Sequence, residues 1–195
     1  VLLDPNFVTG LTRWHLEADK NLGMFADDAA HPADWFHWTF GKPVSVIAEI
    51  DDVITHVAPD DSGVAVYRFG RGEIGILLNS SVVKAAENTT EIYGEKGVLI
   101  QNYGDGPSCD IRHFPDGPPL KVYWYDKGDW EALDAPMPRG HGERIRAVPR
   151  PWIDSLLSET PPPATAVDGR VALEMILGAY RAAREGKRVH FPLTP

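Results

Sequence analysis

The chain has 195 residues, enough for one large domain or two small ones and for a sizeable buried core. Its formal net charge of −9, with no basic run, argues against a nucleic-acid backbone or an anionic membrane surface as partner. A single cysteine, Cys109, excludes an intrachain disulfide and suits a reducing compartment such as the cytoplasm, and no membrane-length apolar run or signal peptide is visible.

Residues 1–22 read as irregular, with a short helix near Pro5–Thr9. From about Asp28 to Phe40 the pattern predicts a helix. Asp27 or Asp28 would cap it, Pro32 would sit in its first turn, and Gly41 and Pro43 would stop it. Period-two segments follow: Val44–Ile50, Val64–Phe69 and Ile74–Leu78, the last two joined by the turn Gly70-Arg71-Gly72-Glu73. Further strands are expected at Thr89–Tyr93, Val98–Asn102, Cys109–Phe114 and Leu120–Tyr125, separated by Gly- and Pro-rich turns. Several of these segments are apolar on both faces, so a partner subunit is the natural cover for the face that helices do not reach.

The tail returns to helix. Pro151–Ser158 reads as a short one ended by Pro161–Pro163. Asp168 would cap a longer one, with Leu173, Ile176, Leu177 and Tyr180 as its apolar stripe and Gly186 as its stop. Val189-His190 reads as a final edge strand before Pro192. Helices at both ends of a run of strands, with no alternating βαβ units, give an α+β fold. Its core is a large, open, mostly antiparallel sheet with helices on one face, as a single domain over 1–195.

The chemistry concentrates in Asp27-x-x-x-His31-x-x-Asp34. Spacings of four and three put these side chains on one face of a helix, beside Trp35 and Trp38. A carboxylate next to an imidazole can fix its tautomer and tune it for proton transfer. The spacing leaves other readings open: a zinc site completed by a distant ligand, or a capping Asp with a satisfied buried His. Trp14-His15 offers an aromatic face and a polar ring that suit a sugar or polyol, and Asp28 adds an acid beside the column. His37 reads as packing, His113 and His141 as loop residues, Arg144 and Arg146 as a solvated face, and Cys109 as an unactivated thiol. Gly70-x-Gly72 lies between strands and opens no helix, so it is no dinucleotide fingerprint.

The block Gly23-Met24-Phe25-Ala26-Asp27-Asp28-Ala29-Ala30-His31-Pro32-Ala33-Asp34-Trp35, running on to Gly41-Lys42-Pro43-Val44, resembles a signature of the Gfo/Idh/MocA oxidoreductases. The tail, from Trp152-Ile153-Asp154-Ser155-Leu156 through Asp168-Gly169-Arg170 to Glu185-Gly186-Lys187-Arg188-Val189, is similar to that family's closing segment. The resemblance implies a two-domain enzyme whose N-terminal Rossmann domain binds NAD or NADP. Its C-terminal domain would supply the open sheet, the substrate pocket and homo-oligomer contacts. This chain matches the C-terminal part, which, with the missing initiator Met, implies a fragment that is inactive alone.

By the same resemblance His31 takes the position of the catalytic His, Asp27 that of its partner, and Asp34 a structural place. Trp14, His15 and Asp28 are the expected substrate contacts, with no metal and with a sugar or polyol as substrate. The family often has Gly where Ala29 stands. The rival expectations are a non-catalytic binding or assembly module of the same fold, and a metal-dependent hydrolase or isomerase using His31 and Asp27.

Overall fold

The computed structural model describes residues 13–80, 89–102, 118–134 and 140–194. These fall into two compact units, one drawn from Val1–Val82 with Ala164–Pro195 and the other from Val83–Pro163.

The first unit holds a short 3-10 helix at Arg13–Leu16, helix α1 at Met24–Phe40, strands β1 (Pro43–Asp51), β2 (Ser62–Phe69) and β3 (Ile74–Ser80), the long helix Ala166–Glu185 and the two-residue strand Val189–His190. The second holds β4 (Thr89–Tyr93), β5 (Gly97–Asn102), β6 (Leu120–Trp124), β7 (Asp129–Ala132) and helices α2 (Gly140–Ala147) and α3 (Pro149–Leu157). In chain order the long helix is α4 and the last strand β8. The α+β class with antiparallel strands is as expected. The pairing resolves into two four-stranded sheets, in the orders β3-β2-β1-β8 and β4-β5-β6-β7.

In the first sheet the register sets one row, Val189–Val46–Tyr67–Gly75, across all four strands. With Ala65, Phe69 and Leu77 it forms the buried face, against which α1 and α4 lay Phe25, Ala29, Ala33, Phe36, Met175, Ile176 and Ala179. Two notches seat the aromatics of α1. A Cβ at Gly63 would stand 2.6 Å from the Phe25 ring, and one at Gly75 would stand 2.8 Å from Phe36. The Tyr67 hydroxyl, fully buried, donates to the Met175 carbonyl at 3.1 Å, and burial pushes its pKa up. The opposite face carries Ile47, Val66 and Ile76 in one row, flanked by Ile74 and Leu78, and is open.

The second sheet carries the row Tyr93–Val98–Tyr123–Trp130. Tyr123 meets the edge of Trp130 at 5.4 Å, Lys121 sits over the Trp130 ring, and the Trp124 indole donates to Glu131 at 2.9 Å.

Several boundaries differ from the sequence reading. Helix α1 begins at Met24, not near Asp28, so Pro32 lies inside it rather than in its first turn. Pro32 forfeits the bond to the Asp28 carbonyl and crowds it, and burial of Ala29, Ala33 and Phe36 on either side offsets that cost. Helix α4 is capped by Thr165, with Asp168 at its third position completing a reciprocal capping box. Its buried stripe is Val171, Ala172, Met175, Ile176, Ala179 and Ala182, whereas Leu173 and Leu177 are exposed. Alanines share this stripe with Met175 and Ile176, and the two leucines are left on the outer face. Gly186 stops α4 in a left-handed conformation with φ 60°, and Val189–His190 pairs with β1, both as expected. Strand β7 and helix α2 were not read from the sequence. The short helix near Pro5–Thr9 and the strand at Cys109–Phe114 lie outside the described residues, as do Cys109 and His113.

Candidate functional site

At about 100° per residue, α1 presents three faces. Phe25, Ala29 and Phe36 turn to the sheet, and Ala26, Ala33 and His37 lie toward α4. Asp27, His31, Asp34 and Trp38 form the third face and are all exposed, Trp38 at 78%. The column expected from spacing is therefore continuous over three helical turns, and it stands clear of the core. The reading of a buried, satisfied His does not describe His31, which is exposed. Nor does Asp27 cap the helix, since it lies within the first turn.

The cap comes from elsewhere. Gly23 precedes α1 and has no side chain to offer its open amides. Instead Asp60, on the β1–β2 connection and only 2% exposed, accepts from the Phe25 amide at 2.7 Å. The Tyr180 hydroxyl of α4 donates to the other Asp60 oxygen at 2.6 Å and accepts from the Ala26 amide at 3.1 Å. The Tyr180 ring meets Phe25 edge-on at 6.0 Å. A Cβ at position 23 would fall 1.5 Å from Asp60 Oδ2, so any side chain there would displace the capping carboxylate. Burial raises the Asp60 pKa above its ordinary value, against the pull of the Tyr180 and Phe25 hydrogen bonds. Burial and the Asp60 carboxylate together push the Tyr180 phenol up.

The same connection is organised by the next residue. Asp61, fully buried, accepts from the amides of Val53, Ile54 and Thr55 at 3.0, 2.9 and 2.7 Å. Burial would raise its pKa, but these donors outweigh burial and hold it below the ordinary value. Asp52 accepts from the Thr55 hydroxyl and the His56 amide, both at 2.7 Å. Ile54 and Ala58 of this loop pack with Leu16 on Met24, which brings the 3-10 helix to the start of α1.

At the far end of α1, His37 Nε2 donates to Asp168 Oδ1 at 3.0 Å. The other Asp168 oxygen accepts from the Thr165 amide and hydroxyl at 2.8 and 2.6 Å. These Thr165 bonds, with His37 beside them, hold the Asp168 carboxyl down at about 2. His37, read from sequence as packing, is thus a tie between two helices, and its Nδ1 is buried without a partner among the described residues.

Of the other expected contacts, Asp28 is half-buried on the flank of the column and Trp14 lies exposed on the 3-10 helix. The side chain of His15 is outside the described residues, as are those of His141 and Arg144. Arg146 donates to the Gly142 carbonyl of its own helix. Sequence reasoning missed Asp60 and Tyr180. The signal for Asp60 was Gly23 itself, a helix start without a local cap. Among the described residues no group of three or more His, Cys, Asp or Glu side chains could hold a metal ion. The N-terminus of α1 is capped by the Asp60 carboxylate, and that of α4 is closed by the reciprocal Thr165–Asp168 pair.

Residues 4–100 match the family model described as the GFO/IDH/MocA C-terminal domain. No curated protein matches the chain in sequence. Among solved structures it is similar to a levoglucosan dehydrogenase in complex with NADH, at TM-score 0.74 and 17% identity, over 93% of this chain and 54% of that one. It is similar to the aldose-aldose oxidoreductase from Caulobacter crescentus complexed with glycerol, at TM-score 0.71 and 21% identity, over 98% and 52%. The WlbA dehydrogenase from Bordetella pertussis in complex with NADH and UDP-GlcNAcA gives TM-score 0.68 and 24% identity, over 97% and 52%. The chain thus spans about half the length of each, and at these identities the likeness is one of fold. Taken with the family match, it shows that the chain carries the C-terminal domain of the GFO/IDH/MocA family.

Proposed function

We propose that this chain is the substrate-binding and oligomerisation domain, acting as one unit over 1–195, of an NAD(P)-dependent oxidoreductase for a sugar, polyol or related hydroxy compound. The observation that carries this reading is the exposed Asp27/His31 column on a helix capped and tied at both ends. An exposed acid–base pair on a fixed helix suits a site completed by a second body.

His31 takes the proton of the substrate hydroxyl, and Asp27, one turn earlier, orients the imidazole and balances the charge it gains. What the bound nicotinamide supplies is an acceptor for the hydride leaving the same carbon with its electron pair, so that a carbonyl results. Trp14 offers an aromatic face to the substrate, Asp28 a hydrogen-bond acceptor, and His15 is the third contact assigned. The open face of the first sheet, with Ile47, Val66, Ile74, Ile76 and Leu78, is covered by a second copy. The ligands named for the neighbours, NADH, glycerol and UDP-GlcNAcA, support the cofactor and substrate classes.

In the complete natural protein, His31→Ala should lower turnover by about 10²–10⁴-fold. Steady-state kinetics with a panel of sugars and polyols checks this, and unchanged turnover refutes the assignment.

A further inference from the structure

Helices α1 and α4 are tied at two points and run antiparallel. Ala26 meets Tyr180 and His37 meets Asp168. The ties are eleven residues apart on α1 and twelve on α4, spans of about 17 Å and about 18 Å at the helical rise. The register therefore matches without bending either helix. Between the ties, beside Met175 and Ile176 on α4, both helices bury alanines, Ala29 and Ala33 on α1 and Ala172 and Ala179 on α4. Such small side chains let the helices approach closely but interlock weakly, so they resist sliding and rolling less than large ones would. The polar ties supply that resistance. A serine at position 23 would have capped α1 locally. The cap used here, a buried carboxylate 35 residues away joined to a phenol 154 residues from Ala26, fixes the helix to two other elements.

We propose that Tyr180, Asp60 and His37 are positioning residues that set the roll and axial register of α1, and so the direction in which Asp27 and His31 point. This rests on the acid–base reading of Asp27 and His31. A roll of α1 by about 10° moves a side-chain tip at about 6 Å from the axis by about 1 Å. Displacements of that size can cost on the order of 10²-fold in rate.

The test uses the complete natural protein, well below its melting temperature. Tyr180→Phe keeps the ring on Phe25 but removes the hydroxyl shared by Ala26 and Asp60. His37→Ala cuts the other tie, and His37→Gln restores a donor for Asp168. Tyr180→Phe and His37→Ala are expected to lower kcat roughly tenfold or more with KM unchanged, and His37→Gln to recover most of the loss. A purely structural role would lower only the melting temperature. In Tyr180→Phe, amide exchange at Phe25, Ala26 and Asp27 should quicken and the His31 ring resonances should shift.

Full kcat in both Tyr180→Phe and His37→Ala, with His31→Ala inactive, overturns the proposal. If His31→Ala is itself fully active, the acid–base reading has failed separately, and exchange decides the positioning. Faster exchange with shifted His31 resonances sustains it, and unchanged spectra overturn it.

Discussion

Gly23 is where one methyl group would undo the most. A Cβ there enters the Asp60 carboxylate, and the flexible end of that side chain cannot retreat without releasing the Phe25 amide and the Tyr180 hydroxyl. Gly23→Ala should therefore cost about 1–3 kcal/mol, the usual range for overpacking, read as a lower midpoint in urea. Asp168 makes a prediction about acid. Its folded pKa lies at about 2, below the ordinary 3.8, so the folded state binds its proton less readily than the unfolded chain. Its contribution is complete above 3.8 and is lost as pH falls toward about 2. Asp60 has the opposite sign: its pKa is raised, so stability declines as pH climbs from 3.8 through the raised value. Replacing Asp168 with Asn should flatten the acid limb of a pH series of urea midpoints. An unchanged slope would remove Asp168 from the account.

Helix α1 is held to the sheet mainly by two rings set in glycine notches. Phe36 also contacts Tyr67, Phe69 and Phe40 at centroid distances of 6.1, 6.0 and 6.1 Å. Phe36→Ala should cost about 3–5 kcal/mol, measured by denaturant unfolding, because the rigid sheet beneath cannot collapse into the space. The existence of this helix and its Asp27/His31/Asp34 face were legible from spacing alone, since i, i+3, i+4 periodicity is a local property. Its start was not, because the cap is Asp60, 35 residues away, and Gly23 marks only the lack of a local cap. The stripe on α4 was misread in part. Leu173 and Leu177 are its conspicuous apolar residues, but of the expected stripe Ile176 is buried and the leucines are not, the buried face running through Val171, Ala172, Met175, Ile176, Ala179 and Ala182. Thr165 was passed over as the cap because Asp168, three positions on, is an equally good cap by type.

For the chain as a whole, the strands were legible as antiparallel from their alternation, but their division between two sheets was not, since period two says nothing about which strand pairs with which. The open face of the first sheet was legible in part: Ile74, Ile76 and Leu78 alternate with the buried Leu77. A proposed second copy on that face predicts that Ile76→Lys with Leu78→Lys lowers the oligomeric state, seen by light scattering on a sizing column, without unfolding the chain. An unchanged mass would place the contact elsewhere. No helix among the described residues is long and apolar enough to cross a membrane.

The cap of α1 also bears on the order of events at the ribosome. Phe25 and Ala26 leave the exit tunnel long before their partners, Asp60 and Tyr180. The nascent helix has no means of closing its own first turn. It gains one bond when the β1–β2 connection emerges, and the second only when α4 has been made as well. A nascent chain arrested before residue 180 should therefore leave the first turn of α1 frayed and accessible to a protease, whereas one released after it should not.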